Sequence, residues 1–212
     1  MQWLTPSWGY NAARLRRSVR IIGAGHFETA IEEGLKATQI QATYSLGYTN
    51  VAFGYMYSNH LSEAEALMRK AAEAKVDAIE LSLVRYFLAF LKNDEASMEQ
   101  ETTQRKSKSQ AQGWFEHQEA LTSAYHGRLK AAARLSNSAV TLAQQAGLRE
   151  HASQFAGARA VWCVLYGVGD EGRSSAAAAK PLYRSRDADY GPALTFAFLR
   201  DSSQAHQIQA EF

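Results

Sequence analysis

The sequence predicts an all-α fold, an α-solenoid of stacked antiparallel helix hairpins, and three observations carry that expectation. Only three prolines interrupt 212 residues, while alanine, the residue cheapest to place in a helix, recurs in most blocks. Four short loop signals, Ala24-Gly25-His26-Phe27, Ser58-Asn59-His60-Leu61, Lys92-Asn93-Asp94-Glu95 and His126-Gly127-Arg128-Leu129, place a Gly or Asn at 25, 59, 93 and 127, a constant step of 34 residues. Gly and Asn tolerate the left-handed conformation that ends a helix, so the step marks tight turns between helices. Around those turns, small and large apolar residues recur at helical spacing.

The segment 48–74 shows the unit most completely. Tyr48, Val51, Ala52 and Tyr55 share one face of a helix, and Leu61, Ala64, Met68 and Ala71 share a face of the next. Ala52 and Ala64 flank the turn, where two helices approach closely only if side chains are small, and Tyr48, Tyr55 and Met68 fill the space further out. The first copy keeps Gly25, Phe27, Ala30 and Ala37 but carries Arg14 and Arg17 in its opening helix. The third keeps Asn93, exchanges the small and large places as Tyr86 and Ala89, and weakens at Met98 and Thr102. The fourth keeps Ala120, Gly127, Leu129, Ala132 and Ala139. Beyond it the step stretches to Gly169, 42 residues after Gly127, through a longer link around Gln144-Gln145-Ala146-Gly147. A last hairpin turns at Arg200-Asp201-Ser202-Ser203, with Ala193 and Ala205 in the small places. The expected organisation is a single array over 1–212, with approximate repeats 11–44, 45–78, 79–112, 113–150, 151–184 and an incomplete 185–212.

This alternation, best seen in Ala52, Tyr55, Asn59, Leu61, Ala64, Met68 and Ala71, resembles the tetratricopeptide repeat. The resemblance implies a right-handed superhelix and a non-catalytic protein-binding role. The wording at 46–57 and 83–95, with 139–147 and 189–197, also looks like the C-terminal repeat region of bacterial serine/threonine protein kinases. That implies an accessory region of a larger signalling protein. No glycine-rich phosphate loop with its strand lysine, no His-Arg-Asp and no Asp-Phe-Gly occurs in the sequence, so no kinase residue carries over.

Bulk chemistry narrows the classes further. A formal charge of +2 supplies no electrostatic reason to bind nucleic acid. Met1-Gln2-Trp3-Leu4-Thr5-Pro6 does not read as a signal peptide, and no run of about 18 apolar residues is present for membrane insertion. One cysteine, Cys163, permits no internal disulfide and suits a reducing compartment, so a cytoplasmic location is expected, or an extracytoplasmic one behind a membrane helix of a longer parent.

Several residues invite a catalytic reading. Gly167-Val168-Gly169-Asp170-Glu171-Gly172 is a literal G-x-G-x-x-G, but a dinucleotide turn needs a preceding strand and open amides, and Asp170 and Glu171 put negative charge where phosphate would sit. A glycine-rich turn between helices is the better reading. His26 and His60 share a turn position one repeat apart, His117 and His126 lie nine residues apart, and Cys163 sits beside Trp162 in an apolar run. These read as loop or packing residues, with no metal and no cofactor expected. The basic groups Arg14, Arg16, Arg17, Arg20 and Arg105-Lys106-Ser107-Lys108 lie near Glu28, Glu32, Glu33 and Glu99, Glu101, as solvated faces do.

The first helices of stacked hairpins line a concave surface. By helical phase the inward residues are Thr49, Phe53, Met56 and Tyr57, then Leu83, Phe87 and Phe90, then His117, Leu121 and Tyr125. They predict an apolar groove, centred on Phe53 and Phe87, for a protein or peptide partner held by buried side chains. The alternatives are a regulatory fragment of a kinase or transcriptional regulator, and a structural or oligomerisation spacer. Trp3, Trp8 and Tyr10 at one end and Ala210-Glu211-Phe212 at the other make poor polar caps, which suits either a fragment or a chain that pairs at its uncapped ends, a homo-oligomer being one such pairing.

Overall fold

The computed structural model describes residues 25–106 and 109–210. The basic group at 14–20, the aromatic stretch at 3–10, the opening helix expected before Gly25, part of the 105–108 group and the last two residues lie outside the described residues or their side chains. Every regular element among the described residues is a helix, and within each unit neighbouring helices pack on one another. No described helix is long and apolar enough to cross a membrane. The chain divides into two compact units, residues 1–105 and 106–212.

The first unit contains α1 (Phe27–Ile40), α2 (Ser45–Tyr57), α3 (Leu61–Glu73), α4 (Ile79–Leu91) and α5 (Glu95–Lys106). Its turns follow from the chemistry of αL residues. Asn59 and Asn93 sit at φ 61° and 56°, and Gly25 at φ 80°. After Asn59 the His60 amide donates to the Tyr55 carbonyl at 2.8 Å, and the Asn59 amide donates to Met56 at 3.1 Å. The same pair recurs at Asn93, with Asp94 to Ala89 at 2.9 Å and Asn93 to Phe90 at 3.0 Å. Each turn thus satisfies the last carbonyls of one helix and starts the next. Asp94 finishes its turn by accepting from the Ser97 amide and hydroxyl, bonds that hold its carboxyl below the usual range.

The small-and-large pattern is a packing pattern. Tyr48, Val51, Ala52, Ala64, Met68 and Ala71 are all buried, and with Leu67, Leu81, Val84 and Leu88 they form one core. Alpha-helices α1 and α2 approach so closely that a Cβ on Gly34 would collide with Val51 Cγ2, which explains a glycine in mid-helix. Tyr86 and Ala89 are buried despite their exchanged places.

The second unit contains α6 (Ser109–Tyr125), α7 (Leu129–Gln145), α8 (Arg149–Leu165), α9 (Gly169–Ala179), α10 (Arg186–Phe198) and α11 (Ser202–Gln209). The longer step has a different cause from the expected link. Residues 144–145 are helical, and Ala146-Gly147 is an ordinary tight turn with Gly147 at φ 73°. It is the helices that lengthen: α7 and α8 have 17 residues each, against 13 in α2, α3 and α4. The next αL residue is Gly167, at φ 76°, and not Gly169, which opens α9. Gly167 lies where the carbonyls of α8 need closing, and Val168 donates to Cys163 at 2.8 Å. The last turn falls where expected, with Arg200 at φ 57° and Ala193 and Ala205 packed against Phe196 and Ile208. Ala120, Ala132 and Ala139 are buried as small contact residues. Where α8 crosses α10, a Cβ on Gly191 would sit 2.8 Å from the Gly157 carbonyl carbon, so backbone meets backbone.

Candidate interaction surface

The G-x-G-x-x-G segment is a helix–turn–helix junction. The run 160–165 before it belongs to α8, Gly167 is the αL residue, and Glu171 projects from α9 to meet Arg159 at 3.3 Å. His26 and His60 are exposed and begin α1 and α3 at matching φ of −91° and −95°. Cys163 is buried with Trp162, Ala124 and Ala132, and that burial raises its thiol pKa against the opposing influence of Arg159. Among the described residues no group of three or more His, Cys, Asp or Glu is placed to hold a metal.

The ten groove residues divide by depth. Thr49, Met56 and His117 are buried. The Thr49 hydroxyl donates to the Ser45 carbonyl at 3.0 Å, and Met56 joins the first unit's core. His117 stacks on Phe155 at 4.2 Å between ring centroids, and burial lowers its pKa to about 4, so the ring is neutral at pH 7. Trp114 meets the same Phe155 edge-on at 5.2 Å and His151 at 4.6 Å, completing an aromatic core of the second unit. Phe53, Leu83, Phe87, Phe90 and Leu121 are half-buried. Phe53 meets Phe87 edge-on at 5.9 Å and Tyr57 nearly parallel at 6.0 Å, and Tyr57 reaches Phe27 at 5.7 Å. Tyr57 and Tyr125 are exposed.

Those two tyrosines belong to a series that helical phase alone did not reveal. The residue two places before the αL position is Tyr57, Leu91, Tyr125, Leu165 and Phe198 in α2, α4, α6, α8 and α10, and all five are 47–70% exposed. The intervening helices α3 and α7 end instead in exposed polar residues, Glu73 and Gln145. Each of these five side chains leaves a large apolar surface in water at the same offset from its turn, although Tyr57 also packs on Phe53 and Phe27. The Tyr166 hydroxyl donates to the Tyr125 carbonyl at 3.0 Å, Leu199 lies 3.1 Å from the Cβ position of Gly169, and α10 adds the exposed Tyr190. The readable signal was the fixed offset from each turn.

Two clefts lie elsewhere in the units. In the first, about 290 Å³, the Arg85 Nε and Nη2 donate to the two oxygens of Glu101 at 2.6 and 3.3 Å, and Nη2 also to the Ser82 hydroxyl at 2.8 Å. In the second, about 330 Å³, Arg159 reaches from α8 between α7 and α9 to Asn137 and Glu171.

No protein-family model matches the chain, and a search of curated proteins returns no match.

Proposed function

We propose that this protein is a non-catalytic protein-interaction scaffold whose partners dock through the exposed apolar residues at the ends of alternate helices. The observation that carries the reading is the recurrence of Tyr57, Leu91, Tyr125, Leu165 and Phe198 at one offset from the turn. In this reading the hairpins stack as a right-handed solenoid of tetratricopeptide type, and their first helices present a shared face to a peptide or helix. The half-buried Phe53 and Phe87, tied to Tyr57 by ring contacts, form the base of that face in the first unit. The resemblance to kinase-associated repeat regions supports a role as an accessory region of a larger bacterial signalling protein.

Selection from a displayed random-peptide library tests the reading. The enriched peptides are expected to carry two or more large apolar anchors. Leu165→Lys with Phe198→Lys should weaken their binding at least tenfold with helicity kept, since a desolvated apolar side chain contributes on the order of 1.5–3 kcal/mol. Peptides without apolar anchors, or unchanged affinity in the double variant, would sink the scaffold reading.

A further inference from the structure

Counting from the αL turns aligns the two clefts residue by residue. Arg85 lies eight places before Asn93, and Arg159 eight places before Gly167. Ser82 and Glu101, which satisfy Arg85, correspond in this register to Ala156 and Ser175. Both replacements line the second cleft and are too short to reach a guanidinium's Nε edge as a glutamate does. The polar groups there record the loss. Arg159 Nε is buried with no hydrogen-bond partner, and so is the hydroxyl of Ser136, a residue only 1% exposed on the cleft wall. A buried donor without an acceptor is costly, and a guanidinium edge fits a carboxylate with two parallel bonds. Arg159 already donates from Nη1 to the Asn137 amide oxygen and from Nη2 to Glu171 at 3.3 Å, the latter a side chain 55% exposed; neither contact reaches Nε.

We propose that the cleft between α7 and α9 is a binding site for a carboxylate side chain of a partner polypeptide, which there takes the place that Glu101 occupies beside Arg85. Val140, Ala178 and Leu182 supply apolar walls for the stem of a glutamate, and Arg159 and Ser136 supply the donors. The site is distinct from the exposed apolar row.

The test uses the full chain and follows the Arg159 Nε–H resonance by NMR during titration with an acetylated, amidated alanine-based helical peptide carrying one central glutamate, with its glutamine twin and with glutarate. The glutamate peptide should shift the resonance saturably, the glutamine twin at least tenfold more weakly. Ser175→Glu, which restores the intramolecular carboxylate, should abolish the response and raise the melting temperature by roughly 1–3 °C. Arg159→Met should abolish binding with the fold kept, and Leu165→Lys should leave it unchanged, which separates this site from the apolar row. Equal responses to glutamate and glutamine peptides, no response to any probe, or a Ser175→Glu protein no more stable than wild type would overturn the proposal. A response to glutarate alone would overturn the polypeptide as the source of the carboxylate.

Discussion

The two units solve the same packing problem with different backbone devices. The first closes two of its turns with asparagine, at 59 and 93, and brings α1 onto α2 by setting a glycine against a valine side chain. The second closes three turns with glycine, at 127, 147 and 167, lengthens its helices, and brings α8 onto α10 backbone against backbone at Gly157 and Gly191. A side chain opposite a glycine can be trimmed or can rotate, whereas an opposing backbone cannot. The second unit is therefore the less forgiving of change at its helix crossing, and its central aromatic cluster adds a buried histidine that the first unit's core lacks among the described residues.

The crossing gives the largest expected effect. Gly191→Leu should destabilise the chain by about 3 kcal/mol, because the new side chain meets the Gly157 backbone. Gly34→Ala should cost roughly 1–2 kcal/mol in the wild-type chain and much less in a Val51→Ala background, itself destabilised by the lost core methyls, since the obstacle is one methyl. Urea denaturation of the single and double variants checks both. Equal losses at the two glycines, or an undiminished cost of Gly34→Ala in the Val51→Ala background, would erase the distinction.

Acid sharpens the comparison next. Burial holds His117 at about 4 in the folded chain against an ordinary value of 6.5, so the unfolded chain takes up this proton first. The contribution is complete above pH 6.5 and is lost as pH falls through 4, amounting to roughly 2 kcal/mol by pH 5. His117→Phe, which keeps an aromatic on Phe155, should flatten stability between pH 6.5 and 4. Amide exchange should place the acid-sensitive opening in α6 and α8; a slope unchanged by the substitution would refute this assignment.

The turns give the smallest effects. Lys75 and Arg200 hold positive φ without being Gly or Asn, at 54° and 57°. Replacing either with glycine should stabilise by roughly 0.5–1 kcal/mol, and Gly127→Ala should destabilise by about 1 kcal/mol. Thermal melts of the three variants read the signs directly.

Much of this architecture was legible because αL turns demand particular residues. Asn59, Asn93 and Gly127 could be found without coordinates, as could the burial of Ala52, Ala64 and Met68 on either side of a turn. The sequence alone does not separate Gly167 from Gly169 as the fifth turn, because the two glycines stand two places apart and only the end of the hydrogen-bonding of α8 distinguishes Gly167. Helix lengthening in α7 and α8 resembled a longer link because Gln144 and Gln145 are polar, yet polar residues suit an exposed helix end equally well. Of the proposed contact surface, Tyr57 and Tyr125 were legible from phase. Leu91, Leu165 and Phe198 were not, because helical phase alone does not single out the position two places before a turn. The juxtaposition of Ser136, Arg159 and Ser175 required three helices, α7, α8 and α9, to be set side by side.

In the proposed reading a partner binds at the apolar residues two places before the αL turns at 59, 93, 127, 167 and 200. The most direct test is chemical-shift mapping of a library-selected peptide on the intact chain. The account predicts perturbations concentrated at Tyr57, Leu91, Tyr125, Leu165 and Phe198, with the corresponding ends of α3 and α7, Glu73 and Gln145, undisturbed. Perturbations centred on Glu73, Gln145 and the outer faces of α3 and α7 would contradict it.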